Sequence, residues 1–248
     1  MLDRVIAVRN DKTVYRNGDR CIKVFNAEYS KADVLNEALN QARIEETGLN
    51  IPKILEVAMI DSKWAIVSEY IKGKTLTQLI KESPDKKNEY IELLVDLHMS
   101  IHQKSCPLLN RQKDKIDRRI ADSELNATTR YDLHSRLEAM PRCSEVCHGD
   151  FNPSNIIITE AGIPYIIDWS HATQGNACAD VASTYLLLRM KGYSDEAEIY
   201  LDIYCQKSGV ARQYIQKWLP IVAAAQSVKS NEMERKFLIS QVDQLNYQ

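Results

Sequence analysis

The chain has 248 residues, 44% of them hydrophobic and 27% charged, with a formal net charge of −2 at pH 7. That length can bury the core of one large domain or two small lobes. The near-neutral charge excludes the basic footprint of a nucleic-acid binder or a basic membrane patch.

Six scattered cysteines, with no CxxC pair, fit reduced thiols better than a disulfide framework. The opening MLDRVIAVRNDKTVYR holds no signal-like apolar core. No run approaches the roughly 18 apolar residues of a membrane span. A cytoplasmic protein without a membrane or nucleic-acid partner is therefore expected.

The first residues read as strands: RVIAVR, KTVYR and RCIKVF are short and β-branched, separated by Asn10-Asp11 and by Asn17-Gly18-Asp19. The second separator is a strong hairpin signal. A helix is predicted from about Ser30 to Thr47, with Ala32, Leu35, Ala38, Leu39 and Ala42 as its apolar stripe. IPKILEVAMI and KWAIVSEY follow as two more strands. The region 1–70 is thus expected to be a β-rich lobe with one inserted helix.

From residue 71 onward helical patterns dominate. IKGKTLTQLI turns into a short helix near Thr75, and residues 88–104 form a long one carrying Ile91, Leu94, Val95, His98 and Ile101 on one side. His98 and His102 are four apart on one face but have no companion glutamate as in HExxH, so a half-buried polar edge is expected there. Residues 112–140, rich in charge, predict one or two exposed helices. The last part, from Asp180, is helical in pattern, with breaks near Gly192, Gly209 and Pro220.

Between these helices lies HGDFNPSNIIITEAGIPYIIDW, residues 148–169. IIIT and YII are strand-length apolar runs joined by a turn through Glu160-Ala161-Gly162-Ile163. If the turn centres between Ala161 and Gly162, facing residues sum to 323, which sets Asn155 opposite Asp168. Opposed Cβ atoms in an antiparallel pair lie about 4.5–5.5 Å apart. An amide oxygen and a carboxylate would then meet, a hard-oxygen pair suited to Mg²⁺ shared with phosphates. Asp150 precedes Asn155 in a D-x-x-x-x-N spacing, with a turn-forming Asn152-Pro153-Ser154 between them. A second carboxylate near the metal could orient a hydroxyl and accept its proton, as the catalytic-loop aspartate of kinases does.

HGDFNPSN followed by IIDW resembles the aminoglycoside phosphotransferase and choline kinase family, the small-molecule branch of the protein-kinase-like fold. Gly149, where protein kinases usually carry Arg, and Trp169-Ser170, where they carry Phe-Gly, favour that branch. The resemblance implies an α+β, bilobed fold with a β-rich N-lobe, a mainly helical C-lobe over 71–248, and a nucleotide in the cleft between them. It implies Asp150 as the catalytic base, and Asn155 and Asp168 as Mg²⁺ ligands. Lys23, central in CIKVF, would hold the α/β-phosphates, with Glu37 of VLNEAL as its partner. IVSEYIKGKTL resembles the family's hinge, where the backbone of Ser68 and Tyr70 would bond adenine. ACADVASTYLL resembles the helix start at which Asp180 supports the catalytic loop; an aspartate there can also cap the helix. His148 is expected to bond the loop backbone.

The implied activity is transfer of the γ-phosphoryl group of ATP, with GTP as a possible donor, to a hydroxyl of an aminoglycoside, amino-alcohol or sugar. An atypical protein-serine kinase and a non-catalytic nucleotide-binding scaffold are the alternatives. One departure stands out: no glycine precedes Gly18, so the turn in VRNDKTV would have to cover the phosphates. Residues 171–248 carry eight acidic and eight basic residues, so the sequence there does not favour a polycationic acceptor over an amino-alcohol or a sugar. Cys143, Cys147, His148 and His171 lack the paired spacing of a zinc site.

Overall fold

Short β-branched segments and tight turns dictate the first third of the chain. The computed structural model describes residues 4–9, 11–228 and 230–243. Asn10 of the first separator lies outside them.

Within Met1–Glu82 the elements are β1 (Arg4–Val8), β2 (Lys12–Asn17), β3 (Arg20–Phe25), α1 (Lys31–Glu45), β4 (Ile54–Ile60), β5 (Lys63–Glu69), β6 (Gly73–Thr75) and α2 (Leu76–Glu82). Next come α3 (Lys87–His102), α4 (Gln112–Ala121), α5 (Ala127–Ala139), β7 (Glu145–Cys147), β8 (Ile156–Thr159), β9 (Pro164–Ile166) and β10 (Thr173–Gly175). The chain then runs through α6 (Ala177–Met190), α7 (Ser194–Ser208), α8 (Arg212–Gln216), α9 (Leu219–Ser227) and α10 (Glu232–Asp243). Two compact units result: Met1–Glu82 with Pro153–Ala172, and Ser83–Asn152 with Thr173–Gln248.

In the first unit the strands form an antiparallel sheet in the order β1-β2-β3-β5-β4. Gly18, at φ +58°, closes the β2–β3 hairpin in the left-handed region that a tight hairpin turn demands. That turn sets Val14 opposite Lys23. One sheet face packs Ile22, Val24, Ala65 and Val67 together. The other packs Phe25 and Ile66 against Val34 and Ala38 of α1.

Helix α1 begins at the Ser30 cap, whose hydroxyl accepts from Asp33 N at 3.1 Å. Its buried face is Val34, Glu37, Ala38, Asn40 and Ile44. Leu35 and Leu39, expected in the apolar stripe, are 44% and 47% exposed. The ion pair of Glu37 with Lys23 and the packing of Val34 and Ala38 on the sheet fix the helix's rotation, and this turns the two leucines outward.

The hairpin β8–β9, expected inside the helical lobe, groups with the first unit because β6 pairs with β8. Its register differs from the expected one by a single residue: Ile156 faces Ile166 and Ile158 faces Pro164. Gly162, at φ +78°, lets the loop close in three residues, Thr159 N bonding Ile163 O at 3.0 Å. Asn155 therefore lies opposite Ile167, whose N–H donates to Asn155 O at 2.9 Å, and Asp168 is one residue beyond that rung.

The second unit is helical, with β7 and β10 as a short antiparallel pair. Trp218 and Tyr200 are among its fully buried large side chains. Among the described residues no helix is long and apolar enough to cross a membrane.

Candidate functional site

Two groups of polar side chains occupy otherwise apolar settings, one in each unit.

In the first unit, β3 carries Lys23 into a cluster with two carboxylates. Lys23 Nζ donates to Glu37 Oε1 and, at 3.2 Å, to Asp168 Oδ1. Burial works to lower the ammonium's pKa, but Asp168 and Glu37 together raise it above the ordinary lysine value. Lys23 is therefore a fixed positive charge. Glu45, the nearby acidic alternative to Glu37 on α1, instead accepts from Ile54 N at 2.6 Å.

Asp168 sits at φ 65°, ψ 61°, left-handed backbone that costs a non-glycine residue energy and recurs at functional positions. This turn takes Asp168 out of strand alternation, so its side chain meets Lys23 and the Ser170 hydroxyl, which donates to it at 3.3 Å. Of the two carboxylates in the cluster, Glu37 is 5% exposed and Asp168 29%. The open one is the one able to take an ion. A carboxylate and an amide oxygen are the hard-oxygen donor types that Mg²⁺ prefers, so the chemistry of Asp168 and Asn155 fits that metal.

Ser68 lies in β5 opposite Cys21 and Ile54. Tyr70 N donates to Asp19 O at 2.8 Å. The Tyr70 amide, part of the backbone expected to bond adenine, is thus already paired, because the β2–β3 turn packs onto the end of β5. Tyr70's ring also stacks under the Arg16 guanidinium, 4.3 Å from the ring centre.

Lys12, which carries no motif of its own, joins this cluster. Its Nζ lies 3.8 Å from Asp168 Oδ1 and 3.9 Å from Glu37 Oε1. The hairpin signal at Asn17-Gly18-Asp19 could have found it. A two-residue turn puts Val14 across from Lys23, and Lys12, two residues from Val14, shares its face.

The second unit presents Asp150 on a loop held from several sides. Asp150 N donates to His148 Nδ1 at 3.2 Å, and Asn152 Nδ2 donates to Asp150 O at 2.9 Å. Thr184 Oγ1 donates to Phe151 O at 2.9 Å. Just before Asp150, His148 N and Gly149 N donate to Asp180 Oδ2 and Oδ1 at 2.7 and 2.8 Å. Asp180 is not the helix cap. Asn176 takes that place, accepting from Cys178 N, and leaves Asp180 one turn inside α6, aimed at the loop.

His98 and His102 are not at a half-buried edge. Both are buried, and their Nε2 atoms lie 3.0 and 3.4 Å from Asp180 Oδ2. With Asp180 ionised, both rings donate from Nε2. Their Nδ1 atoms then accept from the hydroxyls of Tyr200 and Tyr204 at 2.6 and 3.1 Å. Burial pushes the Asp180 carboxyl up, yet the hydrogen bonds from His102 and His98 outweigh it and hold the group well below the usual range. The carboxylate is thus kept charged by four donors.

Burial, and then the neighbouring His102, lowers the His98 pKa from 6.5 to about 3. The sign of the consequence is fixed. Between pH 6.5 and about 3 the unfolded chain binds a proton at His98 that the folded chain does not. Stability therefore falls as pH drops through that window, by about 1.4 kcal/mol per unit from this group. Urea unfolding across that range should show a fall of this sign, and His98→Asn should reduce it. An equal slope in the variant would contradict the assignment.

A family model for the phosphotransferase enzyme family matches residues 4–214. No curated protein matches the sequence. Among solved structures, an apo thermostable mutant of aminoglycoside phosphotransferase APH(4)-Ia is 16% identical, with a TM-score of 0.72 over 98% of this chain and 94% of that one. Choline kinase LicA from Streptococcus pneumoniae is 17% identical, with a TM-score of 0.65 over 98% and 93% of the two chains. ADP-bound aminoglycoside phosphotransferase APH(2'')-Ib is 18% identical, with a TM-score of 0.64 over 98% and 92%. The fold is the kinase-like one shared with these enzymes, a β-sheet N-terminal region followed by a helical C-terminal region. With most of its length matched, the chain belongs to the phosphotransferase enzyme family.

Proposed function

We propose that the protein transfers the γ-phosphoryl group of ATP to a hydroxyl of a small molecule: an aminoglycoside, an amino-alcohol or a sugar. The observation that carries this reading is the Lys23–Glu37–Asp168 cluster on β3, α1 and the turn after β9, in a chain of the phosphotransferase enzyme family. Solved relatives support a nucleotide donor. APH(4)-Ia forms a ternary complex with AMP-PNP and hygromycin B, and LicA a complex with AMP.

Each residue then has a physical role. Lys23, kept charged and aimed by Glu37, pairs with the α/β-phosphates. Asn155 and Asp168 would hold Mg²⁺, which would supply positive charge to the nucleotide's phosphates. Asp150 orients the acceptor hydroxyl and takes its proton. Asp180 and His148 hold the loop that presents Asp150. The base is assigned to the segment from Ser68 to Tyr70, and N–H donation from Tyr70 requires its bond to Asp19 to open. Little covalent chemistry falls to the protein, so positioning and electrostatics supply most of the acceleration.

Binding of Mg-ATP tests the nucleotide half of this reading. Lys23→Met should weaken it by about ten- to a hundredfold, the scale of a charge-assisted hydrogen bond. Asp168→Ala should weaken binding in Mg²⁺ and remove its metal dependence. Wild-type affinity in both variants, measured by calorimetry, would overturn the assignment.

A further inference from the structure

The cluster around Lys23 sets two ammonium groups, Lys23 and Lys12, against two carboxylates, Glu37 and Asp168. Lys23 Nζ donates to Glu37 Oε1, and Lys12 also points in, with its side chain 12% exposed. A nearly buried second ammonium needs anions beside it, and a metal ion held at Asp168 would engage one of the two that Lys12 has, leaving its ammonium to pair with a phosphate. Lys12 is held close without being locked. It lies at ion-pair distance, 3.8 and 3.9 Å, from Asp168 and Glu37, whereas Lys23 hydrogen-bonds both.

Its backbone is fixed at the mouth of the β1–β2 turn. Arg9 N donates to Lys12 O at 2.8 Å, and Asn26 N ties the turn to the end of β3 through Asp11 O at 2.8 Å. This is the turn that would cover the phosphates, and no glycine precedes Gly18 to line it with close-approaching amides.

We propose that Lys12 is a second phosphate-binding residue, whose ammonium grips the β- and γ-phosphates in place of glycine-rich backbone amides. The inference rests on the nucleotide-binding reading of Lys23 and Asp168. A lysine suits this role because it presents three donors on a flexible stem and can swing from the carboxylates to a polyanion without moving the strand.

The test compares ATP, ADP and AMP affinities in Mg²⁺ for the wild type, Lys12→Met and Lys12→Arg, alongside turnover. Lys12→Met should weaken ATP by about ten- to a hundredfold, ADP less, and AMP hardly at all. Lys12→Arg should recover most of the ATP affinity. A urea midpoint for each variant separates binding from folding, and Lys12→Gln serves as a second neutral replacement should the methionine variant unfold. Equal weakening of all three nucleotides, or unchanged ATP affinity in folded neutral variants of a protein that does turn over, would overturn the role of Lys12 alone. A wild type that binds no Mg-nucleotide would overturn the nucleotide reading and the role of Lys12 with it.

Discussion

Asp150→Asn should lower the turnover of acceptor phosphorylation by about 10²–10⁴-fold, the range for losing a positioned general base. The Mg-ATP affinity should stay within about twofold, because the change removes an interaction with the acceptor and not with the nucleotide. The expectation comes from how the loop is built. Asn152 Nδ2 bonds both the carbonyl and, at 3.4 Å, the Oδ1 of Asp150, and Lys191 Nζ holds Asn152 Oδ1 at 3.1 Å. An amide of the same shape preserves this scaffold and loses only the capacity to take a proton. Steady-state kinetics in saturating acceptor would check it, and wild-type turnover would remove Asp150 from the mechanism.

Asp180→Ala should produce the largest loss of stability. Asp180 is fully buried and accepts from His98, His102, His148 N and Gly149 N. Removing it leaves four donors without their acceptor, three of them buried and that of Gly149 partly so, and breaking a buried network of this kind costs about 3–5 kcal/mol. For a chain of this size that is a fall of roughly 6–20 °C in the melting midpoint. Activity should fall with it, since the amides of His148 and Gly149 lead directly into Asp150. A loss below about 1 kcal/mol would show that the loop is held by other contacts.

Much of this was legible in the sequence. The strands of the first sheet declare themselves as short β-branched runs, and Asn17-Gly18-Asp19 marks the hairpin turn between two of them. The rotation of α1 was not legible, because it is decided by an ion pair between Glu37 and a strand lysine, not by the leucines that pattern suggests. The β8–β9 hairpin was visible but its register was not. Gly162 permits a three-residue loop where a four-residue connection reads as well, and one residue of difference moves Asp168 off the rung with Asn155. The strands β6, β7 and β10 are three residues each, too short to carry a period of their own.

The histidine pair shows a different limit. The spacing of His98 and His102 on one helix face was plain, but their partner Asp180 lies 82 and 78 residues away in sequence, and no local pattern connects them. Lys12 shows the reverse. A two-residue turn at Gly18-Asp19 sets Val14 opposite Lys23, a register the hairpin signal permits but that was not read from it, and the parity of the strand carries it two residues further to Lys12.

The measurement that bears most directly on the central claim is ADP formation from Mg-ATP across a panel of aminoglycosides, amino-alcohols and sugars. The proposed function predicts that at least one hydroxyl-bearing acceptor raises the rate above background and appears as its phosphate ester. ADP formation at the background rate with every acceptor would contradict it.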